Sequence, residues 1–85
     1  MNRSKSSSIR ERSYGKGQIL VAVYRNEIDS RVYYDTVIYR RIRQGGEFRR
    51  GTNLKPHDLP LLVELLSQAG EYLVKIGQIP DPSDP

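Results

Sequence analysis

Cysteine is absent from this 85-residue chain, which excludes disulfides and thiolate zinc sites as devices for holding it together. A chain of this length forms one domain, and its core is too small to leave much margin of stability without a staple or a second subunit. Self-association is the remaining device, so a homodimer is expected. Histidine occurs once, as His57, beside a proline where a helix begins. It reads as a surface loop residue, and a histidine metal cluster has no second imidazole to use. Long apolar runs are also missing: the longest, Ile19–Tyr24, falls far short of the roughly 20 residues that a membrane-spanning helix needs. No signal-like apolar segment opens the sequence. The expectation is a soluble, cytoplasmic protein with no membrane partner.

Catalytic groupings are equally sparse. Asp35 and Glu47 sit among arginines and read as ion-pair partners. The "GKG" at residues 15–17 lacks the spacing and preceding strand of a phosphate loop. The sequence therefore points away from an enzyme, and no cofactor, metal or small-molecule substrate is expected.

Positive charge is plentiful but unevenly placed. The net formal charge is +4. Residues 1–17 carry Arg3, Lys5, Arg10, Arg12 and Lys16 against Glu11 alone, and residues 18–55 carry eight basic groups against four acids. From residue 56 onward Lys75 faces Asp58, Glu64, Glu71, Asp81 and Asp84. The chain has a basic front and an acidic back.

Residues 1–8 are too polar to bury and are expected to be a disordered basic arm, followed by a domain over residues 9–77 and a disordered Pro- and Asp-rich tail over 78–85. "QILVAVYRNE" is a dense β-branched strand. "NEIDS" supplies turn residues. "RVYYDTVIYRRIR" is a second long strand, with Val32, Tyr34, Thr36 and Ile38 on one side and Tyr33, Asp35, Val37, Tyr39, Arg41 and Arg43 on the other. "QGGE" then folds the chain back, because glycine takes positive φ without steric cost. In "EFRRGTNL", alternation groups Phe48 with Leu54 and sets Arg49 on the opposite side. A bulge near Arg40 and Arg41 would exchange their faces.

A C-terminal helix follows. Asp58 is placed to cap it and Pro60 suits its first turn. Leu62, Leu65, Leu66, Ala69, Leu73 and Ile76 form an apolar stripe, Glu64, Gln68, Glu71 and Lys75 the wet side, and Gly77 the stop. The fold class is α+β: an antiparallel sheet of three to four strands followed by one helix on one face. Val21, Val23, Val32, Ile38 and Leu54 are expected beneath the helix.

The other face is then open and collects Tyr24, Tyr33 and Tyr39 with Arg41, Arg43 and Arg49. Rings among guanidinium groups suit a single nucleic-acid strand, since bases stack on aromatics while arginines hold phosphates. A duplex reader would carry its basic residues on a groove-entering helix, and this helix is acidic. Tyrosines and arginines on a hairpin are also ordinary strand-forming, edge-protecting residues. The competing reading is a protein-interaction or dimerisation module with no nucleic-acid ligand.

Taken in order, "ILVAVYRNE", "RVYYDTVIYRR", "GEFRRGTNL" and "HDLPLLVELLSQAGEYL" resemble the small bacterial proteins related to the transcriptional coactivator positive cofactor four. That group is akin to the Whirly and Pur-alpha domains. The resemblance spans about residues 9–76. It implies a four-stranded sheet plus helix, a homodimer, and single-stranded DNA or RNA laid across the sheets. It further implies contacts from Tyr39, Arg41, Arg43 and Arg49. The sequence differs from the coactivator in having no tryptophan and in using arginine where lysine is frequent. The function expected is sequence-independent single-stranded nucleic-acid binding, in transcription or DNA maintenance.

Overall fold

The computed structural model describes residues 6–80. They form β1 (Ser6–Lys16), β2 (Ile19–Ile28), β3 (Arg31–Gln44), β4 (Glu47–Gly51), a single 3-10 turn at Pro56–Asp58, and α1 (Leu59–Lys75). The strands make one antiparallel sheet in the order β1-β2-β3-β4. This is the α+β arrangement read from the sequence, with four strands. Residues 1–5 of the expected arm and 81–85 of the expected tail lie outside the described residues. Ser6–Ser8, assigned to the arm, instead open β1 opposite Ile28, Glu27 and Asn26. Strand pairing uses backbone groups, so a polar stretch can satisfy the amides that β2 presents.

All three hairpins close through two-residue turns, and in two of them both central residues have positive φ. Asp29 and Ser30 have φ of 49° and 69°, and Gly45 and Gly46 have 61° and 82°. Positive φ at both central positions gives the turn whose twist matches that of the flanking strands. Glycine adopts it freely, whereas Asp29 and Ser30 do so against Cβ crowding.

β2 is covered on both sides over its first half: Ile19, Leu20, Val21, Ala22 and Val23 are all buried. Ile19, Val21 and Val23 meet Leu65 and Ala69 of α1, with Tyr14, Tyr34, Ile38, Leu54, Leu62, Tyr72 and Leu73 packed around them. α1 rests on β1 and β2. Val32, expected under the helix, is exposed. It pairs with Glu27 near the β2–β3 turn, at the end of the sheet away from the buried segment. Leu66, expected in the core stripe, is also exposed.

The helix ends as anticipated. Gly77 has φ of 79°, and Gln78 N–H donates to the Leu73 carbonyl at 2.8 Å while Gly77 N–H donates to Val74 at 3.0 Å. This paired arrangement satisfies carbonyls that the last turn leaves free.

The start of α1 departs from expectation, because Asp58 does not cap it. The 3-10 turn already winds the chain before Leu59, so the Asp58 backbone is helical and its carboxylate reaches back. It accepts from Lys55 N–H at 2.7 Å and from Arg40 Nε at 3.0 Å, while only 2% exposed. The Lys55 amide, and then Arg40, hold the Asp58 carboxyl below its ordinary pKa although burial opposes this. Arg40 stands opposite Ile19 and Gly51 on the helix side, so the pair fastens β3 to the helix entry.

Candidate nucleic-acid interface

The face away from α1 is organised by a bulge in β1. Arg10 pairs with Tyr24 and Arg12 with Val23, leaving Glu11 as the extra residue. Strict alternation would put Arg10 and Arg12 on one side; the bulge sends them to opposite sides. Arg12 goes to the helix side, its guanidinium 4.8 Å from the centre of the Tyr72 ring. Tyr72 hydroxyl donates to Glu11 Oε2 at 2.6 Å, a bond that pushes the phenol pKa up. The bulge is thereby tied to α1, and Arg10 is freed for the open face.

There Arg10 reaches two tyrosines. Its Nε and Nη2 donate to the Tyr24 hydroxyl at 3.2 and 2.9 Å, and Nη2 also approaches the Tyr39 hydroxyl at 3.3 Å. The Arg10 hydrogen bond, with added attraction from Arg10 and Arg50, lowers the Tyr24 phenol pKa, and the same bond raises that of Arg10. Arg50 lies over the Tyr39 ring, 4.5 Å from its centre, and Arg41 pairs directly with Arg50. This layer explains why Leu20, Ala22 and Tyr39 are buried on a face that no helix covers.

The β3–β4 register corrects two expectations. Gln44 pairs with Glu47, Arg43 with Phe48, Ile42 with Arg49 and Arg41 with Arg50. Paired residues point to the same side, so Arg50 and Phe48 share the open face with Arg41 and Arg43. Arg49 belongs by parity to the helix side. It contributes from the strand rim to a hollow of about 250 Å³ that Tyr39, Arg41, Phe48 and Arg50 also line. No shift occurs at Arg40 and Arg41, whose faces are as read from the sequence. Counting outward from a two-residue Gly45-Gly46 turn would have found Arg50 and Phe48. Arg10 depends on the bulge, which local sequence does not announce.

The tyrosines differ in what they offer. Tyr39 is 6% exposed and its ring is already occupied by Arg50, so it anchors the guanidinium layer and presents no free ring face. The accessible rings are Phe48 at 69% and Tyr33 at 47% exposure. Arg43 stands 5.8 Å from the centre of the Phe48 ring. Tyr24 is intermediate in exposure and is engaged by Arg10.

Towards the β2–β3 turn the same face changes character. Ser8 Oγ donates to Asn26 Oδ1 at 2.7 Å, and Asn26 Nδ2 donates to Asp35 Oδ2 at 2.7 Å. The resulting hydrogen-bonded chain crosses three strands and lines a hollow of about 500 Å³ shared with Tyr33. Arg31, opposite Ile28, is on this face beside the turn, so the face has a strongly basic end and a more nearly neutral one that holds Asp35.

Among the described residues no helix is long and apolar enough to cross a membrane, and no three His, Asp or Glu side chains are grouped to hold a metal. The comparisons with protein-family models, curated proteins and solved structures find no match to this chain.

Proposed function

We propose that this protein binds single-stranded nucleic acid across the sheet face opposite α1, in transcription or DNA maintenance. One observation carries the reading: Arg10, Arg41, Arg43 and Arg50 share that face, and none has a carboxylate within ion-pair distance among the described residues. Solvated basic rims ordinarily interleave with acids. A cluster without them favours a polyanion, and the exposed Phe48 and Tyr33 rings add stacking surfaces that every base can use. Phosphates and ring faces are common to all nucleotides, so binding is largely independent of sequence. The likeness of the sequence layout to the positive-cofactor-four-like proteins belongs to the same reading.

The partner for α1 in this reading is a second copy of the chain. Leu59, Val63 and Leu66 follow one another at i, i+4 and i+7 along α1 and are 51%, 64% and 38% exposed. A small chain without cysteine gains from covering such a stripe, and a two-fold contact needs only one self-complementary patch.

Fluorescence anisotropy with a labelled single-stranded oligonucleotide at low and high salt tests the ligand. Binding that weakens steeply with salt is expected; no binding at low salt overturns the reading.

A further inference from the structure

Asp35 is out of place on a surface that receives phosphates. It projects from the open face opposite Tyr24, it is exposed, and among the described residues no cation lies within ion-pair distance of it. A phosphate near this carboxylate would be repelled, with little intervening salt to screen the repulsion at contact distance. The part of a nucleotide that fits here is uncharged and rich in donors, which describes a base edge.

The carboxylate is also held. Asn26 donates to Oδ2, and Asn26 is itself held by Ser8, so one side of Asp35 is fixed while Oδ1 is open. Each carboxylate oxygen accepts two hydrogen bonds, so Oδ2 keeps a free lone pair as well. Tyr33 is two residues away on the same face, about 7 Å along the strand, with its ring accessible. A base stacked on Tyr33 can bring its edge to Asp35. Along β3, Asp35 lies four residues from Tyr39, roughly 13 Å, so a strand whose phosphates sit on Arg10, Arg41 and Arg50 extends naturally into this hollow.

Resting on the single-stranded nucleic-acid reading, we infer that the Ser8–Asn26–Asp35 chain with Tyr33 forms a base-reading position that selects guanine. Guanine alone presents two adjacent donors, N1–H and the 2-amino group, on its Watson–Crick edge. They match the two oxygens of a carboxylate as the guanidinium fork does. Cytosine and adenine place an acceptor beside their amino group, and thymine flanks its single N–H with two carbonyls. Each of those would set an acceptor against Asp35. Binding is therefore tolerant of sequence except at one nucleotide.

Anisotropy with the full chain tests this, using three probes: oligothymidylate, the same strand with one central deoxyguanosine, and the same strand with deoxyinosine, which keeps N1–H and lacks the 2-amino group. The guanosine strand is expected to bind roughly tenfold tighter than oligothymidylate, with inosine between them. Asp35→Ala should erase the difference while leaving oligothymidylate affinity equal or higher, because a negative charge is gone. Asp35→Asn keeps the side-chain size and serves as a second variant, with the same loss of preference. Equal affinity of the wild type for all three strands overturns the guanine position and leaves nucleic-acid binding standing. A preference that survives in both variants also overturns it. Absence of binding to every strand at low salt overturns the nucleic-acid reading and this position with it.

Discussion

The guanidinium of Arg50 lies 4.5 Å from the centre of the Tyr39 ring, a contact that seats Arg50, and not its neighbour Arg49, on the open face. Arg50 pairs with Arg41 on the open face, whereas Arg49 pairs with Ile42. Arg50→Ala is therefore expected to weaken single-stranded oligonucleotide binding more than Arg49→Ala. Loss of one phosphate contact should flatten the dependence of log affinity on log salt by roughly 0.7. Salt titrations of both variants by anisotropy check this. Equal effects would move the phosphates to the rim of β4.

Phe48 and Tyr39 separate affinity from stability. Phe48 is largely exposed and Tyr39 nearly buried. Phe48→Ala should cost about 1–3 kcal/mol of binding through a lost stacking platform and leave the melting temperature unchanged. Tyr39→Ala should destabilise the fold by about 3 kcal/mol, as large-to-small changes at buried aromatics do. Thermal melts beside binding titrations distinguish them. An exposed stacking role for Tyr39 would appear as lost affinity at constant melting temperature.

The contrast between these two residues shows how much of the molecule was legible beforehand. Elements with strong periodicity were readable: Ile19–Val23 as a covered strand, the Leu65 and Ala69 stripe, and Gly77 as the stop, because burial and backbone geometry constrain those residues locally. Arg41 and Arg43 were placed correctly by strand alternation. Alternation carried through the Gly45-Gly46 turn puts Arg49 on the open face and Phe48 with Leu54, whereas pairing counted outward from a two-residue turn reverses both. Arg10 and the occlusion of Tyr39 depend on contacts between strands far apart in sequence, and on a bulge that is stabilised by Tyr72 of α1. No window of the sequence contains those partners together.

The β2–β3 turn offers a gain of stability. Ser30 holds φ at 69°, a left-handed conformation that glycine enters without Cβ crowding. Ser30→Gly should stabilise the protein by about 0.5–1 kcal/mol, raising the melting temperature by a few degrees, roughly 4 °C. Calorimetry or a circular-dichroism melt measures this. A lower melting temperature would mean that the serine side chain makes a contact worth more than the strain.

Val63 is the most exposed of the three apolar residues along α1. If α1 meets a second copy as proposed, Val63→Glu places a charge in the middle of the stripe and should weaken self-association at least tenfold. Light scattering across a concentration series reads the outcome. A wild type that is monomeric throughout the series while still binding oligonucleotide would overturn the second copy as the occupant of this stripe.

Asp58 is expected to set the acid limit of the fold. Its carboxyl is held below the ordinary value by the Lys55 amide and Arg40, so its folded pKa is lower than its unfolded pKa of about 3.9. A depressed folded pKa means that the unfolded state binds more protons as pH falls. The stabilisation is therefore complete above the unfolded value and is lost as pH drops below about 4 and through the folded value. Asp58→Asn keeps the shape but removes the charge that Arg40 faces at 3.0 Å. At neutral pH it should lower the melting temperature by about 10 °C, because the half-buried Arg40 guanidinium loses its counter-charge. Between neutral pH and pH 3 the wild type should lose stability more steeply than Asp58→Asn, so the two melting curves converge on acidification. Parallel pH profiles would show that another carboxylate governs the acid transition.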